Sequence, residues 1–198
     1  MSFIRVVSGL TLACLGVGAN ATVIGFEDLG NVGTSGTVIT NQYAGVVFSS
    51  TNGMVNRVSS QSGIGAGLNF LCTATSTINC TGETVLDFSS AVSGVSFLAA
   101  GDDNQGVTAK VDVFVNGLLA GTEDVVTDGI FNTTQLVNLA SYSNVTRVRI
   151  HSITDGGGLG WDNFSFTVGS NTVPEPQTAA LVLAALAGLG VARRRRQA

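Results

Sequence analysis

The stretch 107–115, Val-Thr-Ala-Lys-Val-Asp-Val-Phe-Val, limits the possible folds more than any other. Every odd position is apolar, while Thr108, Lys110 and Asp112 take the even ones. Side chains along an extended strand alternate between two faces, whereas a helix repeats every ~3.6 residues, so this segment buries one face only as a β-strand. Asn116-Gly117 follows at once. A type I′ turn needs positive φ at both central residues, which Asn and Gly accept most readily, and its twist suits a two-residue hairpin. Residues 118–125 are therefore expected to return antiparallel.

The same alternation recurs at 145–152, where Val148 and Ile150 share one face and Arg147, Arg149 and His151 the other. Further strands are expected at 23–27, 45–50, 84–89, 92–99, 131–138 and 161–168, while 66–72 has no clean period and receives no assignment. The interior is short of helix formers and rich in Gly, Ser, Thr, Asn and Val, which favours strands and turns. Short strands joined by Gly- and Ser-rich turns predict an all-β fold, a two-sheet antiparallel β-sandwich of jelly-roll type.

The two ends read differently. Arg5, an apolar run over 6–17 and Gly18-Ala19-Asn20-Ala21 make a three-part secretory signal, residues 1–21, with the cut before Thr22. A competing lipoprotein reading of Cys14 places Thr11 where Leu is preferred and leaves a very short apolar run. At the other end, Val173, Pro174, Glu175 and Pro176 precede an uncharged stretch over 177–192, then Arg193, Arg194, Arg195 and Arg196. As a helix, 178–192 spans only ~22 Å against a hydrocarbon core of ~30 Å. Long arginine side chains reach the headgroups and close part of that gap, and by the positive-inside bias the arginines stay in the cytoplasm while everything before Pro174 lies outside. The expected organisation is a signal helix (1–21), a β-sandwich domain (22–172) and a sorting segment with a short transmembrane helix (173–198). A generic single-pass anchor shares the helix and arginines but leaves Pro174-Glu175-Pro176 unexplained.

Pro-Glu-Pro, marginal helix and basic tail, in that order, resemble the PEP-CTERM sorting signal. In that family an exosortase, a membrane-embedded cysteine peptidase, recognises the Pro-Glu-Pro motif and removes helix and tail. The resemblance implies the secretion machinery and an exosortase as partners and a transient stay in the inner membrane through 178–192. It also implies a final place at the cell surface or in the extracellular matrix, associated with exopolysaccharide. The interior runs Gly25-Phe26-Glu27-Asp28-Leu29, Gln42-Tyr43-Ala44-Gly45-Val46-Val47-Phe48 and Gly160-Trp161-Asp162-Asn163-Phe164-Ser165-Phe166 resemble secreted β-sandwich domains that precede such signals, some of them galactose-binding or lectin-like.

Between the ends stand twelve acids and four bases, a net charge of −8. This surface repels phosphate backbones and excludes nucleic acid as a partner. The positive mean hydropathy, +0.40, comes mostly from the two ends. Cys72 and Cys80, the two cysteines that survive export, are expected to pair and close a short polar loop, worth about 2 to 3 kcal/mol in the chain-entropy model. Their spacing matches no zinc finger, and the single histidine, His151, lies far away in sequence and reads as an ordinary surface residue. The sequons at Asn79, Asn132, Asn144 and Asn163 read as turn and strand-face residues rather than glycosylation sites.

Catalytic material is scarce: one His, one interior Lys and no Gly-x-Ser-x-Gly elbow. The chain is therefore read as non-enzymatic, with no catalytic residues. The alternatives are a carbohydrate-binding module for a defined glycan and a secreted glycoside hydrolase built on two carboxylates. Hard cations take oxygen ligands, and Glu27, Asp28 and Asp162, brought together if the first and last strands are neighbours, are the candidate ligands of a structural Ca²⁺. The bland alternative makes them strand-end residues, and the oxygen-rich 101–106 loop a turn. Tyr43, Phe114, Tyr142 and Trp161 are candidate sugar platforms, each weighed against simple core packing; no carbohydrate-binding residue is assigned. Intact-mass measurement of the native secreted protein is expected to show loss of 1–21 and of the segment after the Pro-Glu-Pro motif; a surface form retaining Arg193 to Arg196 contradicts the sorting assignment.

Overall fold

The computed structural model describes residues 21–75 and 79–169. The expected signal helix and sorting helix lie outside the described residues, apart from Ala21. Eleven strands form one antiparallel sheet: β1 (Ala21–Ile24), β2 (Thr37–Val38), β3 (Val46–Ser50), β4 (Val55–Ser60), β5 (Asn69–Ala74), β6 (Thr84–Ala100), β7 (Gln105–Val115), β8 (Leu118–Asp128), β9 (Thr134–Asn138), β10 (Val145–His151) and β11 (Gly160–Val168). The hairpin read from Asn116-Gly117 is present, with φ of 50° and 80° at the two residues, as a type I′ turn requires.

The architecture turns on β6, expected as two strands but built as one of 17 residues. Its first half pairs with β3 and β10, its second with β9 and β11. The backbone stays extended through Ser90 and Ala91 because each half finds its own partners. Beyond these the order runs β2-β4-β5-β11 on one side and β10-β7-β8 on the other, with β1 on β11. The two portions face each other across one apolar cluster, giving a β-sandwich core. Phe48 on β3 meets Phe164 on β11, which is not its hydrogen-bonded partner, edge-on at 5.5 Å between centroids. Phe97 stacks on Phe164 at 5.3 Å and meets Trp161 edge-on at 5.8 Å.

Several boundaries moved for physical reasons. The first strand ends at Ile24, short of the expected 27, because Phe26 adopts φ 61° and opens a single 3₁₀ turn over Glu27–Leu29. A left-handed aromatic residue is strained, and it persists here because the Phe26 ring is buried against Tyr43, Phe48 and Phe164. The strand expected at 131–138 begins only at Thr134, since Thr133 N donates back to the Ile130 carbonyl in a turn. Along β7 the apolar positions Ala109, Val111 and Val113 are all buried, with Asp112 covered on the opposite face, but a register shift between Val107 and Ala109 leaves Val107 half exposed. β5, which occupies most of the unassigned region, is buried at all six positions and so has no apolar-polar period to read.

Phe164 touches three other aromatic rings at the centre of this core. Phe164→Ala is expected to destabilise the secreted protein by about 3 to 5 kcal/mol, the usual cost of deleting a buried ring. Chemical denaturation checks this, and a loss below about 1 kcal/mol, typical of surface changes, would place the residue outside the core.

Candidate functional site

Four inter-strand connections meet at one end of the sandwich: 61–68, 101–104, 129–133 and 152–159. They are held there mostly by buried carboxylates that accept backbone N–H groups. Asp155, 2% exposed, accepts from Asp103 N (2.8 Å) and Asn104 N (3.1 Å) through Oδ2 and from Gly157 N (3.0 Å) through Oδ1, tying two connections together. Asp102 Oδ2 accepts from Gly129 N at 2.6 Å. Asp162 Oδ2 accepts from Ala66 N (2.9 Å), and Glu27 Oε1 accepts from Leu68 N (2.7 Å) and Asn69 N (2.9 Å). For the buried Asp102, Asp155 and Asp162 each bond offsets part of the cost of taking a carboxylate out of water, while Glu27 is exposed.

The disulfide belongs to the same end. Cys72 on β5 is joined to Cys80, as the sequence suggested. Cys80 in turn exchanges backbone hydrogen bonds with the last connection: its N–H donates to the Gly157 carbonyl (3.2 Å), and Leu159 N donates to the Cys80 carbonyl (3.1 Å). Gly158, at φ 82°, has no room for a side chain, since a Cβ would lie 2.2 Å from the Cys80 carbonyl carbon. The disulfide sits in a second small core with Ile64, Phe70, Ala74 and Ala100.

Above this small core lies a cleft of about 190 Å³. Ile64 and Phe70 contribute apolar surface, the Cys80 and Gly157-Gly158 backbones line it as well, and Gln61, Asp103 and Phe131 complete it. Phe131 is 41% exposed although it is a large aromatic residue. Among the described residues, neither Asp103 nor Gln61 engages its side chain in a hydrogen bond or ion pair. A second small cleft, lined by Asp87, Phe114, Gly117, Thr146 and Arg147, differs in this respect. There Arg147 Nε pairs with Asp87 at 2.6 Å and its guanidinium covers the Phe114 ring at 5.9 Å, so its polar and aromatic groups already have partners.

The structure brings Glu27 and Asp162 to one segment, 66–69, but turns Asp28 away to accept the Tyr43 hydroxyl at 2.7 Å. Among the described residues no group of three His, Cys, Asp or Glu side chains is arranged to hold a metal ion. The oxygen-rich 101–106 segment is organised by Asp155. Of the four aromatic platform candidates, Trp161 is wholly buried, Tyr43 and Tyr142 pack against the core with their hydroxyls on Asp28 and Glu123, and Phe114 lies under Arg147. His151, expected at the surface with the arginines, is half-buried with Nε2 3.2 Å from Asp112. Phe131 is not among the expected platforms, because the sequence places it in a strand that in fact begins at Thr134. An aromatic residue in the turn-rich run Asp128-Gly129-Ile130-Phe131-Asn132-Thr133-Thr134 was the available signal.

Residues 172–196 match the PEP-CTERM protein-sorting motif, which contains Pro174-Glu175-Pro176 and Arg193 to Arg196. The chain thus carries the C-terminal signal of a secreted, exosortase-processed protein. No curated protein matches it in sequence. Similar solved structures include a cyclase from Fischerella sp. TAU, 13% identical over 75% of this chain and 97% of that one, with a TM-score of 0.46. A CBM35 from Paenibacillus barcinonensis is 17% identical over 68% and 100%, with a TM-score of 0.36. The K1 cleaved adhesin domain of Lys-gingipain from Porphyromonas gingivalis W83 is 11% identical over 76% and 99%, with a TM-score of 0.34.

Burial pushes the Asp102 carboxyl up from its ordinary pKa; the Gly129 N–H opposes this and the Asp128 charge adds to it. Burial likewise raises Asp162, against the Ala66 and Asn163 N–H groups, and the Glu27 charge adds to the rise. Both groups hold protons more tightly when folded, so above the unfolded pKa of about 4 their contribution to stability falls as pH rises through the folded values. Asp102→Asn keeps an oxygen for Gly129 N without the charge. It is expected to flatten the fall in stability, read by urea denaturation, as pH rises above about 4, and to exceed wild type in stability once the wild-type carboxyl is ionised; an unchanged slope contradicts this.

Proposed function

We propose that the exported domain is a non-catalytic cell-surface or matrix component that holds exopolysaccharide in the cleft beside Phe131, in a two-sheet, jelly-roll-like sandwich. In this reading residues 178–192 tether the chain to the inner membrane until exosortase cuts near Pro174-Glu175-Pro176. The observation that carries the proposal is an exposed aromatic ring sharing a small cleft with side chains that no protein group occupies. Sugar rings present apolar C–H faces and equatorial hydroxyls, so they suit Phe131 on one side and Asp103 and Gln61 on the other. At about 190 Å³ the cleft is smaller than the ~300 to 1,000 Å³ of drug-sized sites. It thus suits a single ring of a longer chain.

The hydrolase alternative has weaker support. Asp103 Oδ2 and Asp155 Oδ1 lie 3.6 and 3.7 Å from the position a Cβ on Gly157 would take, so they are neighbours across that residue. Asp155, however, is buried with its oxygens committed to three backbone N–H groups, and it is poorly placed to exchange a proton with substrate or water. Affinity electrophoresis through gels containing the exopolysaccharide of the producing cell is expected to retard the secreted protein. Phe131→Ala should weaken binding about two- to tenfold, the ~0.5 to 1.5 kcal/mol of an aromatic contact. Unretarded wild type, or equal retardation of both proteins, rejects the assignment.

A further inference from the structure

The geometry points to a cationic amino sugar, one with a free, unacylated amine, as the unit that the cleft accepts, with Asp103 as the partner of its ammonium group; this rests on the glycan reading above. Asp103 supplies the charged side chain lining the cleft, and it is exposed there. Its backbone N–H is fixed by Asp155, so the residue is held in place while its carboxylate is left free. Asp128 at the end of β8 and Asp155 in the last connection add charge of the same sign.

All four bases among the described residues are committed elsewhere. Lys110 pairs with Asp124 at 2.7 Å, Arg147 with Asp87 at 2.6 Å and Arg149 with Glu83 at 2.7 Å. Arg57 donates to the Ser35 carbonyl at 3.1 Å. None stands in the connections that frame the cleft. Fields from like charges reach about a Debye length, ~8 Å at physiological salt, and a concave wall of low dielectric focuses them. A uronate, sulfate or phosphate group entering here meets repulsion with no compensating cation. A neutral N-acetyl sugar offers Asp103 its hydroxyls but no charge. A free amine gains a charge-assisted hydrogen bond, and the ring contact with Phe131 is common to all three classes.

The test uses the secreted protein and the methyl glycosides of glucosamine, N-acetylglucosamine and glucuronic acid, with affinities read from protein NMR shifts. The amino sugar is expected to bind about two- to fivefold tighter than the N-acetyl sugar, the size of an exposed charge pair, with the advantage shrinking as salt is added. The uronate should bind weakest. Asp103→Asn should erase the preference, weakening the amino sugar more than N-acetylglucosamine. Glu123→Gln removes the same charge from β8, five residues or ~17 Å of strand from Asp128, and should preserve the preference. Equal binding of the amino and N-acetyl sugars, or equal effects of the two charge variants, overturns the amino-sugar assignment. In that case binding that still weakens in Phe131→Ala leaves the glycan cleft standing. Binding of no sugar, or binding insensitive to Phe131→Ala, removes the cleft reading as well.

Discussion

Everything in this domain depends on β6 serving two sets of neighbours. A strand has two edges, and β6 uses each edge twice, once in its first half with β3 and β10 and once in its second with β9 and β11. The register with β10 skips from Asp87 to Val92 where β10 advances only from Arg147 to Val145, so the extra β6 residues fall where the partners change. Because the two halves share one backbone, the apolar faces they present are locked opposite each other. The edge-on contact of Phe48 with Phe164 is a consequence of that linkage. At the end of β6, Ala100 belongs to the small core under the cleft and Asp102 caps Gly129, so the same strand delivers both the main core and the floor of the candidate site.

The loops at that end have few apolar anchors, and carboxylates do the anchoring. Buried acids destabilise unless their oxygens are hydrogen-bonded. Asp155 meets the condition with three N–H donors. Asp102 meets it only in part: one oxygen bonds Gly129 N, while Oδ1 is buried with no partner. Positioning these connections therefore costs some stability at neutral pH, and the cost sits beside the cleft. On β7 the balance is reversed. Burial pushes Asp112 up, but Thr122, His151 and Arg149 outweigh it and hold the carboxyl below its ordinary pKa.

The alternating strands were legible because polar residues occupy the face opposite the core, whether exposed like Lys110 or covered like Thr108 and Asp112. At 107–115 and 145–152 the polar positions marked the outer face, and the Asn-Gly turn marked the hairpin. β5 was illegible for the opposite reason, since burial on both faces removes the period. The shared nature of β6 was invisible locally: Ser89-Ser90-Ala91 looks like a break, and only its distant partners keep it extended. Of the candidate ligand residues, Glu27 and Asp162 do converge on one segment, which the neighbouring ends of the chain suggested. The direction of Asp28 depends on the left-handed turn at Phe26, which no residue pattern signals. The exposure of Phe131 is illegible in the sequence because it is a property of the assembled loops.

The sorting signal and the cleft are linked by chemistry as well as by sequence. Disulfides persist in the oxidising surroundings outside the cytoplasm, and the tail marks this chain for export. The Cys72–Cys80 bond ties the Cys80 backbone to β5, and Cys80 holds the Gly157-Gly158-Leu159 segment through hydrogen bonds on both of its peptide groups. That segment lies beside Phe70 and Asp103 in the cleft lining. Before the bond forms, the Cys80 side of this wall is joined to the 157–159 segment by two backbone hydrogen bonds of about 1 kcal/mol each. Once it forms, the unfolded chain loses the loop freedom that competes with them, an effect of about 2 to 3 kcal/mol for a loop this short. The compartment that receives the protein thus supplies the cross-link that fixes this wall of the cleft.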